Sequence, residues 1–151
     1  IYIDGYRLLP GPQESGPEEH LIDRAAAQLR AMAAIMLEEV NVELRLKPLP
    51  ARRLFADRML SLMALLAQRR RDLPPEVIEA WTAQWLEALD LTGQGELERV
   101  EAGGHLLLLV KRKGCCLDYR IDPDRLCATC PKQDNALRLA RQTANALAEL
   151  S

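Results

Sequence analysis

Aromatic residues supply only 4% of this 151-residue chain, and no apolar run approaches the roughly 18 residues expected of a membrane-spanning helix. The longest such run, "LLLLV" at Leu106 to Val110, is the size of a strand. The opening "IYIDGYRLLPGPQ" has neither the basic start nor the long apolar stretch of a secretory signal. Methionine is missing from position 1, so the chain is expected to be the C-terminal part of a longer one. Charge of one sign is also lacking: the formal net charge is −2, which argues against a general polyanion binder and against nucleic acid as a partner. Repeats and low-complexity tracts are absent. A cytoplasmic location is the default expectation, with room for transient association at the inner membrane, and in that compartment clustered cysteines serve metals more often than disulfides.

What is present suits a globular chain, with 48% apolar and 28% charged residues. The length predicts a single domain over residues 1–151. Scarce aromatics beside abundant Leu and Ala favour helices over strands. The segment "IYIDGYRLL" reads as a short strand, followed by a breaker-rich linker with Pro10, Pro12 and Pro17. From Glu18 and Glu19, which suit a helix N-terminus, to about Val42, residues Leu21, Ile22, Ala25, Leu29, Met32, Met36 and Val40 recur at helical spacing. "KPLP" at 47–50 breaks the pattern. A second helix follows, with Phe55, Met59, Leu62, Met63 and Leu66 on one face, and ends in Arg69, Arg70 and Arg71, which complement its dipole.

"DLPPE" opens a third helix carrying Val77, Ile78, Trp81, Trp85 and Leu89, closed near Gly93. The period then changes. "ELERVEAGGHLLLLVKRKG" reads as a β-hairpin turning at Gly103-Gly104. A cysteine-rich loop follows, and "NALRLARQTANALAEL" closes the chain as a helix with Ala136, Leu137, Ala140, Ala144 and Leu147 inward. The predicted class is α+β, predominantly helical: helices, then a β-hairpin, a cysteine loop and a C-terminal helix.

All four cysteines fall within "GCCLDYRIDPDRLCATCP", as Cys115, Cys116, Cys127 and Cys130. Disulfides are the weakest reading, because Cys115 and Cys116 could join only through a strained vicinal bridge. A structural Cys₄ zinc site is usually built from two Cys-x₂-Cys hooks, and only Cys127 and Cys130 form one. Adjacent cysteines on an extended strand would point to opposite faces. A [2Fe–2S] cluster relaxes that demand by dividing four Cys ligands between two irons, so the spacing leans toward it without excluding zinc. Between Lys111 and Lys132 six basic residues face three acidic ones in a chain that is negative overall. Nearby cations favour the thiolate and stabilise a reduced cluster.

The Cys-Cys-x₁₀-Cys-x₂-Cys pattern, flanked by "VKRKG", "LDYR" and Pro131, resembles the C-terminal signature of the FhuF-type ferric siderophore reductases. The resemblance implies a [2Fe–2S] cluster held by Cys115, Cys116, Cys127 and Cys130 in a segment over residues 111–132. It also implies an oxidoreductase that passes one electron to siderophore-bound Fe³⁺, with a ferric siderophore and an electron-donor protein or reductant as partners. Fe²⁺ is softer than Fe³⁺ and is held far less tightly by hard oxygen donors, so one electron frees the metal for iron acquisition. No catalytic residue beyond the cluster is implied. Arg112, Lys113, Arg120 and Arg125 are candidates to attract an anionic ferric complex, or else serve solubility and cluster electrostatics. Trp81, Trp85, Met32, Met36, Met59 and Met63 read as core, and His20 and His105 as too isolated for ligands, although His105 could approach the cysteine loop. The competing readings are an iron–sulfur electron-transfer module for a partner protein and the structural zinc module.

Overall fold

The prolines that interrupt the helical pattern also start the helices. The computed structural model describes residues 16–122 and 126–150, so the expected first strand, Pro10 and Pro12 lie outside the described residues. Helix α1 spans Glu18–Glu43, α2 Pro48–Arg69 and α3 Pro75–Ala88. "KPLP" is thus the first turn of α2, where the missing proline N–H costs no intrahelical bond. Strands β1 (Gly95–Ala102) and β2 (His105–Arg112) pair antiparallel, with Leu97 opposite Val110. Gly103 and Gly104 both have positive φ, at 58° and 76°, as a two-residue hairpin turn matched to strand twist requires. Helix α4, Asn135–Leu150, completes the predominantly helical α+β fold.

The hairpin lies between layers. Leu108 and Val110 join the core of α2 and α3, while Leu107 and Leu109 pack on Ala146 of α4. A strand covered on both faces needs an unbroken apolar run rather than alternation, which explains Leu107 to Val110, while Leu106 beside the turn is exposed. Leu60 and Ile78 are fully buried at the centre of the larger core. Trp81 and Trp85 are half-buried against it, as expected of core residues.

Three buried faces differ from the sequence expectation. On α1, among the described residues, only Ile22 and Ala26 are buried, with Leu29 packed beside them, while Met32, Met36 and Val40 are exposed. Helix α1 has 26 residues and its neighbour α3 has 14, or roughly 39 Å against 21 Å of axis, so the second half of α1 overhangs. On α2 Leu62 is exposed and Leu60 takes its expected place, two residues and so about 200° round the helix. Arg69 lies in the last turn of α2, but Arg71 donates to the Leu150 carbonyl at 2.8 Å and so caps α4 instead.

The third difference concerns α4, which turns Arg138, Gln142 and Ala146 inward and exposes Ala136, Leu137, Ala140 and Ala144. The reason is the free edge of β2. The Val110 N–H donates to Gln142 Oε1 at 3.0 Å, and Gln142 Nε2 donates back to the Val110 carbonyl at 3.0 Å. Arg138 donates to the same carbonyl at 3.1 Å. The glutamine amide stands in for a third strand and blocks edge pairing. Gln142→Leu is expected to destabilise the fold by about 1–3 kcal/mol, because the Val110 N–H loses its partner while its carbonyl keeps Arg138. A urea midpoint unchanged from that of the parent chain would contradict this.

Candidate iron–sulfur site

Strand β2 ends at Arg112, so Cys115 and Cys116 lie beyond it and strand alternation does not set their directions. Two features shape the backbone around them. Gly114 is buried against α2, where a Cβ would lie 2.7 Å from Asp57 Oδ2 and 3.2 Å from the Arg53 backbone carbonyl carbon, so only glycine allows the approach. Leu117 then takes the left-handed conformation, at φ 64°, and reverses the chain into a 3-10 turn over Asp118–Arg120. A leucine in that region is strained, by an amount on the order of 1–3 kcal/mol.

The second hook is more deeply set. The Cys130 N–H donates to the Cys127 carbonyl at 2.9 Å, closing a tight turn. Gln133, just before α4, and Arg141, on α4, grip this turn from outside. Gln133 Nε2 donates to the carbonyls of Cys127 at 3.2 Å and Ala128 at 2.7 Å, and Arg141 donates to the Leu126 carbonyl at 2.8 Å. Asp134 caps α4 through the N–H groups of Ala136 and Leu137. All four cysteines are free thiols, with Cys130 buried, Cys116 exposed, and Cys115 and Cys127 between. Burial pushes the Cys127 thiol up from its ordinary range; the Arg112 charge opposes this, and Cys116 and Cys130 add to it. Three of the four sulfurs therefore share one electrostatic neighbourhood.

Arg112 is central to that neighbourhood. Its side chain is only 11% exposed, and it forms an ion pair at 2.8 Å with Asp57, itself 7% exposed. Its Nε donates to the Gly114 carbonyl at 2.8 Å, and one terminal nitrogen contacts Thr129 Oγ1 at 3.4 Å and Cys127 Sγ at 3.8 Å. Burial holds the Asp57 carboxyl above its usual range, against the opposing pull of Arg112 and of the Gly114 N–H. Four residues of this site were not legible in the sequence: Asp57, Thr129, Gln133 and Arg141. Asp57 had one available signal, an acid within the apolar run of α2 between Ala56 and Met59.

The other candidates disperse. Lys113 is exposed and donates to the Gly93 carbonyl at 2.8 Å, Arg120 is exposed beside Tyr119, and Arg125 lies outside the described residues. Lys132 lies over the Tyr119 ring, 4.6 Å from its centroid. His105 pairs with Ala102 at the turn end of the hairpin, about seven strand residues or roughly 24 Å from Arg112, and does not approach the cysteine loop. His20 is exposed on α1. The exposed half of α1 forms, with α2 and the α3–β1 connection, an open apolar groove of about 660 Å³ lined by Met32, Met36, Val40 and Phe55 and bordered by Arg30 and Arg58.

The donor set fits a [2Fe–2S] cluster. It comprises four free thiols in one segment, a buried cation within reach of one sulfur, and a partly open surface at Cys116. Among the described residues no group of three or more His, Cys, Asp or Glu side chains is already gathered to hold a metal ion, so the four thiols are not drawn together here, and no helix is long and apolar enough to cross a membrane. Residues 112–132 match the family described as the FhuF 2Fe-2S C-terminal domain. The match covers all four cysteines, names a [2Fe–2S] cluster as the cofactor, and agrees with the resemblance seen in the sequence. No solved structure matches the chain.

Proposed function

We propose that the protein is a [2Fe–2S] ferric-siderophore reductase, a single domain in which residues 111–132 form the cluster segment and Cys115, Cys116, Cys127 and Cys130 are the ligands. The observation that carries this reading is the match over residues 112–132, which contains the complete Cys-Cys-x₁₀-Cys-x₂-Cys set. The cluster supplies one-electron chemistry when bound, and its potential depends on hydrogen bonds and charge around the sulfurs. The chain's own residues do the rest. Gly114 and Asp57 hold the first cysteine pair against α2, while Gln133 and Arg141 hold the second hook against α4. Exposed Arg120, within the cluster segment, adds positive charge that favours the approach of an anionic ferric complex. The electron comes from a donor protein or small reductant, and the Fe²⁺ formed leaves its hard-donor chelate.

Mixing dithionite-reduced protein with ferric siderophores under anaerobic conditions, with a ferrous chelator present, is the direct test. The visible spectrum is expected to return to its oxidised form as chelated Fe²⁺ accumulates. A cluster that stays reduced removes the reductase assignment. That outcome would favour the second reading, an iron–sulfur electron-transfer module for a partner protein, to which the uncovered groove along α1 lends support.

A further inference from the structure

Arg112 and Lys113 are neighbours with the same formal charge in opposite environments. The Arg112 guanidinium is enclosed by α2, by Gly114 and by the Cys127–Cys130 turn, and its ion pair with Asp57 leaves it little freedom to leave. Lys113 extends into solvent, where water and salt screen its charge. A fixed cation near a ligand sulfur, with an N–H directed at it, stabilises the more negative, reduced state of a cluster and so raises its potential. One terminal guanidinium nitrogen of Arg112 lies 3.8 Å from Cys127 Sγ. An 11%-exposed side chain committed to four partners is also poorly placed to meet a substrate.

We propose that Arg112, aimed by Asp57, sets the reduction potential of the cluster through N–H donation to Cys127, and is not a contact for the ferric complex. The proposal rests on residues 112–132 holding a [2Fe–2S] cluster, and it extends that reading from the ligands to the residue that tunes them. In this arrangement the pair is a preset charge couple. Asp57 prevents the guanidinium from turning toward solvent, and the arginine carries the hydrogen bond to the sulfur.

The test is an anaerobic redox titration of the cluster-loaded chain, followed by visible absorption and by the paramagnetic signal of the reduced state. Arg112→Gln is expected to lower the reduced-to-oxidised ratio at fixed potential by about tenfold, a downward shift of about 59 mV for a one-electron couple. Lys113→Gln makes the same change of formal charge and is expected to leave the midpoint unchanged. Arg112→Lys keeps the charge but loses the planar fork, and its midpoint is expected between those of the parent and Arg112→Gln. Equal shifts in Arg112→Gln and Lys113→Gln, or no shift in Arg112→Gln, would overturn the proposal. If Arg112→Gln cannot hold the cluster, Arg112→Lys decides: a midpoint equal to the parent's overturns it. A parent chain that shows no visible bands after reconstitution with iron and sulfide instead sinks the cluster reading itself.

Discussion

Replacing Cys116 by serine is expected to abolish or strongly alter the visible spectrum of the cluster-loaded protein, while changing the stability of the cluster-free chain by no more than about 0.5 kcal/mol. The two halves of this expectation have separate causes. Cys116 is exposed, so its sulfur contributes little packing and a serine hydroxyl in its place remains solvated. Yet Cys116 acts electrostatically on the Cys127 thiol, as Cys130 does, and in the proposed reading all three are cluster ligands. A serine oxygen is a harder donor than a thiolate and suits an iron–sulfur centre less well. The same substitution at Cys130 would be less informative, because that residue is 3% exposed and a buried hydroxyl adds its own cost. An unchanged spectrum in Cys116→Ser would remove Cys116 from the ligand set, and a large loss of cluster-free stability would show that its role is packing.

The cysteine pattern that carries the family match and the order of elements were legible because each depends on local pattern. Helical spacing in α3, the Gly103-Gly104 turn and the apolar run of β2 each declare their element within a few residues. Which face of a helix is buried depends on neighbours distant in sequence, and there the pattern misled. The Met32, Met36 and Val40 stripe has the spacing of a core face, but among the described residues no second layer covers it. Helix α4 shows the opposite case: Arg138 and Gln142 look solvent-directed and are buried, because the edge of β2 offers them backbone partners. The site divides the same way. Its cysteines fall within one short segment, residues 115–130, whereas Asp57 lies 55 residues before Arg112 and meets it only once α2 packs on the hairpin. Periodicity carries no sign of such a pairing.

Asp57→Ala is expected to cost the cluster-free chain about 3–5 kcal/mol, the usual consequence of leaving one member of a buried ion pair uncompensated. The magnitude follows from what stays behind. The Arg112 guanidinium would remain enclosed with neutral partners alone, the Gly114 carbonyl, Thr129 and the Cys127 thiol. Against a total stability of about 5–15 kcal/mol for a domain, such a loss moves the urea midpoint far enough to measure. The pair need not be a net source of stability, since burial already holds the Asp57 carboxyl above its usual range. Replacing both members by apolar residues, as in Asp57→Leu with Arg112→Met, is therefore expected to recover most of the loss, and the double variant isolates the uncompensated charge as its cause. The cluster-loaded chain provides the further comparison. A thiolate-rich, net-negative centre beside Cys127 supplies the counter-charge that Asp57 otherwise provides, so the same substitution should lower the melting temperature less when the cluster is bound. A single-variant loss below about 1 kcal/mol would place the pair with ordinary surface ion pairs, and an equal loss in both forms would mean that Arg112 and the cluster do not share a field.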